Sequence, residues 1–257
     1  MRNWTKEYWK GCRTCAWLLF LYLTSTGILV VCCLSAYVRM WKQQSMNYCL
    51  ADCYIAAQDV WVFGVLVIPV TVLFLLYFFN AQGRACSLIR EGSRRMIWRK
   101  QGYKGALFSI MMTSYFQGCI FIAGGLASRS YINWSSTASL FFYNTEYRTS
   151  TVCFPLVLAV SSVIVFLKFF SISLMVIFAL WAAKSKELVI IFVVALAGAE
   201  LFLQNKSLQL FYNVLNASYD KWLSAWKMTE SIIYGIVLAV LIWHMGKSKI
   251  MRKDFFL

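Results

Sequence analysis

Residues 84–104 read RACSLIREGSRRMIWRKQGYK and lie between two long apolar runs. Arg84, Arg90, Arg94, Arg95, Arg99, Lys100 and Lys104 face the single acid Glu91. In a membrane protein, short loops so rich in Lys and Arg stay in the cytoplasm. This segment therefore orients the apolar runs on either side of it. Leu88, Ile89, Gly92 and Met96 recur at helical spacing and form an apolar or small face. Glu91 and Arg95 make a favourable i,i+4 pair. Gly92 suits the end of one short helix and Ser93 the N-cap of the next. The pattern predicts one or two short amphipathic helices at the cytoplasmic surface. Two roles stand side by side: a positive-inside anchor on anionic lipid with Trp98 at headgroup level, or a docking element for a soluble partner.

Composition sets the class. Hydrophobic residues make up 61% of the 257 residues and charged residues 14%. A soluble chain of this length cannot hide that much apolar surface. Aromatics reach 18%, as belts at two membrane interfaces require. The net charge of +15 needs only basic loops beside anionic lipid, not nucleic acid.

Working outward in both directions, the hydropathy pattern predicts an all-α, polytopic membrane protein: one domain, 1–257, with six spans. These fall at about 15–38, 59–80, 105–127, 154–182, 188–203 and 231–246. Trp4, Tyr8 and Trp9 share a helical face and predict a short interfacial helix ahead of the first span. That span exceeds a signal-peptide core and lacks a small-residue cleavage site. Pro69 interrupts the second span and removes one helical hydrogen bond. Gly118, Gly124 and Gly125 offer close helix approach in the third. The outer segment at 204–230 carries Leu208, Leu210, Phe211, Leu215, Trp222 and Trp226, so short helices dipping into the interface are expected. Met228 to Glu230 extend the short sixth span. With this layout the Lys and Arg count is biased more than twofold inward, and both termini come out cytoplasmic.

Two charges fall inside spans. Lys168 is near the middle of the fourth, and Glu200 is toward the outer end of the fifth. Either they mark a polar patch on a substrate path, or Lys168 snorkels to an interface. Asp59 and Glu230 read as plain interface residues at span ends. Cys49, Cys53 and Cys153 all lie on the expected outer side, where a disulfide among them is an open candidate of unreadable pairing. Cys12 and Cys15 form a lone C-x-x-C without the further ligands that zinc needs. His244 is the only histidine, and neither H-E-x-x-H nor a phosphate loop occurs. The reading is of a protein that is no enzyme and holds no cofactor or metal.

The six-span layout, the interfacial N-terminal helix and the amphipathic segment between spans two and three together resemble the membrane subunit of ABC-2-type exporters. Leu88-Ile89-Arg90-Glu91-Gly92-Ser93-Arg94-Arg95, with Trp98 and Lys100, looks like the corresponding segment of small permeases of Gram-positive bacteria. Many of those serve peptide or antibiotic export and self-immunity. The resemblance implies a pathway formed by two permease chains in the plasma membrane, as a homo- or heterodimer. Each chain would bind a cytoplasmic ATPase subunit that holds ATP and Mg. Arg90, Arg94, Arg95 and Trp98 would be the coupling segment, and the cargo an amphipathic peptide, antibiotic or lipid-like molecule. Two other functions fit the residues: a substrate-binding membrane component of a small-molecule importer, or a non-transporting immunity or sensor protein.

Overall fold

The computed structural model describes residues 2–80, 93–182 and 215–252, with helical positions at 188, 189, 191, 195 and 198; side chains are described from Ala16 onward, apart from Asn80, Arg94 and residues 250–252. The described residues form helices and connecting loops, in keeping with the composition. The chain order is α1 (Arg2–Gln43), α2 (Leu50–Ala56), a π-helical stretch (Val60–Val67) and α3 (Ile68–Asn80). There follow α4 (Arg94–Ala127), α5 (Leu140–Thr145), α6 (Phe154–Ala182), a 3-10 turn (Tyr219–Leu223) and α7 (Ala225–Arg252). Five segments among the described residues are long and apolar enough to cross a membrane: Ala16–Gln43, Val60–Phe79, Arg95–Ala127, Phe154–Ala182 and Ala225–Lys249. The chain is a helical membrane protein. The span expected at 188–203 lies mostly outside the described residues.

The central helix is α6. It packs on α2, α3, α4 and α7, and 67% of its most apolar window is buried against 22% for α7. Sequence explains the difference. Apart from Lys168, the middle of α6 is apolar on every face, with Ser161, Ser171 and Ser173 as small residues that let neighbours approach. Pro155 sits in its first turn, where no backbone N–H is missed. Ser173 and Ser162 return their hydroxyls to the carbonyls of Phe169 and Leu158. A hydroxyl in a dry bundle is satisfied in that way.

Several expectations change here. No separate interfacial helix precedes the first span, because α1 runs unbroken from Arg2 to Gln43. The second half of the basic segment is likewise no surface helix of its own. Ser93 takes the N-cap position with extended backbone, and Arg94 onward forms the first turns of a 34-residue helix. The residues after Ser93 contain no proline until after Ser128, so propagation through Arg99, Lys100 and Lys104 costs less than a second nucleation. Residues 84–92 lie outside the described residues. Of the three glycines expected to admit a neighbour in the third span, Gly124 does meet one: a Cβ there would stand 2.7 Å from Leu50 and 3.0 Å from Cys53 of α2, whereas Gly118 and Gly125 face open space. Pro69 acts through a π-helix rather than a plain kink. Proline withholds its N–H and crowds the carbonyl of Val65, four residues back. The backbone ahead of it widens, and the Ile68 amide donates to Phe63, five residues back.

On the expected outer side, the first two loops join. The amides of Leu50 and Ala51, at the start of α2, donate to the carbonyls of Ser130 and Tyr131. Asn47 and Ser139 form an isolated bridge, and the Leu140 amide reaches Asn47 at 2.9 Å. The described part of the last expected outer segment holds the 3-10 turn, with Lys221 and Trp222 buried, and leads into α7. α7 begins at Ala225, so Met228 to Glu230 do extend the final span.

Candidate functional site: a polar centre inside the bundle

Lys168 is the central residue of α6 and is fully buried, at 0% exposure. Helical side chains lean toward the helix N-terminus, so its ammonium reaches back toward Phe154. There Nζ donates to the Gln58 carbonyl at 3.3 Å and stands 4.7 Å above the Phe63 ring. The chain between α2 and the π-helical stretch carries Gln58 into the bundle to meet it. The Gln58 carboxamide donates to Ser161 Oγ at 2.6 Å and to the Tyr54 carbonyl. Gln117 of α4 donates to the same Ser161 oxygen at 3.1 Å. The Oε1 atoms of Gln58 and Gln117 find no hydrogen-bond partner among the described residues.

This centre joins α4, α6 and the start of the second span through polar atoms in an apolar bundle. Each is costly there unless satisfied. The centre therefore links a buried ammonium, through Gln58 and Ser161, to two carboxamide oxygens that are themselves unbonded among the described residues. An intramembrane ionisable residue of this kind marks a functional site by default. The π-helical stretch strengthens the reading, since π turns are rare and cluster at such places. Phe63, within that stretch, also contacts Phe116 and Phe169 edge-on or tilted, so the wide turns wall the centre with aromatic rings.

A second buried cluster closes the end of the bundle expected to face outward. Asp52 of α2 is completely buried. Its carboxylate accepts the Cys49 amide at 2.9 Å, the Cys49 thiol at 3.2 Å and the Trp134 indole N–H at 2.9 Å. It also bonds the Tyr219 hydroxyl. Burial pushes the Asp52 carboxyl up from its ordinary value, while these donors pull it back. Burial also raises the Cys53 thiol, to about 12, with the Asp52 charge adding to it. The cluster ties three described segments at this end of the bundle to one oxygen pair. Its groups are already engaged with one another, so it reads as a structural keystone.

At the opposite end of the bundle, α4 and α7 lock reciprocally. The Trp243 ring lies on Gly102, where a Cβ would fall 2.1 Å from it, and the Trp98 ring lies on Gly246 at 2.0 Å. The two indoles tilt against each other with centroids 5.3 Å apart. Trp98 is therefore core, 1% exposed. Its indole is not offered at headgroup level or to a soluble partner, because the bare Gly246 backbone admits it between helices.

The residues singled out from sequence do not form one site. Arg95 is exposed at the start of α4. Arg90 and Glu200 lie outside the described residues, as does the Arg94 side chain. Lys168 does not snorkel. Cys49, Cys53 and Cys153 are all free thiols, the first two buried and the third exposed. Burial and the Asp52 contact explain why Cys49 stays a thiol. Asp59 accepts a hydrogen bond from the Tyr37 hydroxyl and so ties α1 to the head of the second span. Gln58, Gln117 and Ser161 escaped the sequence reading because uncharged polar residues in or beside spans are common. The one available signal was their position on runs flanking Lys168. Compared with protein-family models, curated proteins and solved structures, the chain matches none.

Proposed function

We propose that this chain is the membrane-spanning permease subunit of an ATP-driven exporter of amphipathic cargo, with nucleotide bound and hydrolysed by a separate cytoplasmic subunit. One observation carries the reading: a single unbroken helix, α4, bears the basic surface at one end and the polar centre along its length. Arg95, Arg99 and Lys100 stand exposed in its first turns, and Gln117 bonds into the Ser161–Gln58–Lys168 network six turns further on. A push on the basic end moves a rigid rod rather than a floppy loop. The Trp98–Gly246 and Trp243–Gly102 contacts pass that movement to α7, and Gln117 passes it to α6. The polar centre then changes its access as a two-state element biased from a distance. In this proposal the chain has six spans, with the fifth in the 188–203 region, and both termini share the cytoplasmic side with residues 84–104. Two permease chains pair to complete the pathway.

The test is purification of the tagged chain from its native membranes in mild detergent, with Arg90, Arg94 and Arg95 changed together to Glu in a parallel culture. A nucleotide-binding subunit is expected with the wild type and not with the variant. Lys168→Met should keep that subunit and lose cargo movement. If no ATPase is recovered even after crosslinking in membranes, the exporter reading falls, and the sensor or immunity reading replaces it.

A further inference from the structure

Between the first half of α4, the middle of α6 and the second half of α7 lies a groove of about 1220 Å³. Its position follows from the Trp–Gly lock. Gly102 pairs with Trp243, and Trp98 with Gly246, so the two helices run antiparallel with a ring seated on each bare glycine. Arg95 and Arg99 form one i,i+4 row along the groove, and Lys100 and Lys104 form the next. No acidic side chain lines it among the described residues. Beyond the basic end its walls become wholly apolar, with Phe166 and Phe170 from α6 and Ile236 and Val240 from α7. Phe166 and Phe170 stack in parallel, 5.7 Å between centroids, and give one flat wall. Ile236 and Val240 are each 49% exposed, so the groove opens sideways, toward the bilayer.

Four cations at one end and aromatic and aliphatic walls at the other match one kind of molecule. We infer that this groove is a binding site for an anionic diacyl phospholipid. The phosphate would lie among Arg95, Arg99, Lys100 and Lys104, and the acyl chains along Phe166, Phe170 and Val240. Guanidinium and ammonium groups recognise phosphate oxygens directly, and the arrangement corresponds to the basic inter-helix pockets that take anionic headgroups. The site differs from a general basic surface, because its charges continue into an apolar cleft of matching polarity. It goes beyond the proposed transport function and stands whether or not an ATPase engages the same end of α4.

The test is native mass spectrometry of the full chain released from phosphatidylcholine nanodiscs that contain phosphatidylglycerol of identical acyl chains. The wild type should retain phosphatidylglycerol selectively. Arg99→Glu with Lys104→Glu should lower that preference by about tenfold or more, from the usual gain per basic group near anionic lipid. Val240→Trp fills the cleft and leaves every charge in place, and it should lose retention as well. Ile236→Trp gives the same readout from the equally exposed neighbouring position, should the first variant not fold. Lys247→Glu with Lys249→Glu, the tail variant at the C-terminal end of α7 outside the groove, should leave the preference unchanged. The inference is overturned if the tail variant lowers selectivity as much as the groove variant. It also fails if either tryptophan variant, folded, keeps wild-type retention, since attraction would then belong to the basic surface alone.

Discussion

Gly246→Ala adds one methyl group, and the geometry around it fixes what that methyl must do. A Cβ built there would stand 2.0, 2.3 and 2.8 Å from three atoms of the Trp98 ring. Carbon atoms rest at about 3.5–4.0 Å, so the ring must retreat by roughly 1.5 Å or the helices must part by that amount. Retreat is restricted, because Trp98 is 1% exposed and Trp243 leans against it. Overpacking of this kind costs about 1–3 kcal/mol. The gain from replacing glycine inside a helix offsets at most about 1 kcal/mol. A net loss of about 1–2 kcal/mol is expected, read from unfolding in mixed micelles. Gly118→Ala on α4 is the control, since nothing lies within 4 Å of its Cβ; that variant should be neutral or slightly stabilised. Combining Gly246→Ala with Trp98→Leu frees the space and should recover about 1 kcal/mol relative to additivity. Wild-type stability for Gly246→Ala, or strict additivity in the double variant, would refute the reciprocal lock.

Three further outcomes are expected. Lys168→Met removes a buried charge and fills similar volume, so the melting temperature should hold or rise while transport is lost; a drop of several degrees would make Lys168 a structural residue instead. Burial lowers Lys221 from 10.5 to about 8 against the upward pull of Asp220 and Glu230. The unfolded chain then binds more protons between those values, and stability rises with pH across that window. Lys221→Gln should show a flatter rise between pH 8 and 10, and parallel curves for the two proteins would sink the assignment. Among variants that each keep one cysteine, a membrane-impermeant maleimide at neutral pH should modify Cys153 and spare Cys49 and Cys53, whose thiols are buried and raised. A mobility difference between reduced and non-reduced wild-type chain would instead revive a disulfide.

The helical membrane class was legible because a 61% hydrophobic chain has few other solutions. The start of α6 was legible, since Phe154 follows a polar loop and opens a long apolar run. Boundaries drawn from charge were less faithful. Basic residues mark where a helix leaves the hydrocarbon, and a helix does not stop there; hence α1 continues back to Arg2 and α4 to Arg94. Lys168 stood out as a lone charge. The glutamines that meet it did not, because their partners come from other helices and no local spacing encodes them. Trp98 misled for a related reason. An indole beside basic residues reads as interfacial, and only the register between α4 and α7 places a bare glycine against it. The three outer cysteines were visible as a group, but their state depends on the fold around Asp52.

The Asp52 cluster also dictates an order of assembly. The carboxylate finds its first donor three residues away, in the Cys49 amide. The Trp134 indole leaves the ribosome 82 residues later, which at ordinary elongation rates is roughly 4–16 s. Tyr219 emerges last, after α6 is complete. A nascent chain must therefore hold its first loop with the acid still incompletely paired. The cluster closes only when the 3-10 turn ahead of α7 has been made, so a late segment brings the final donor that seals the first loop.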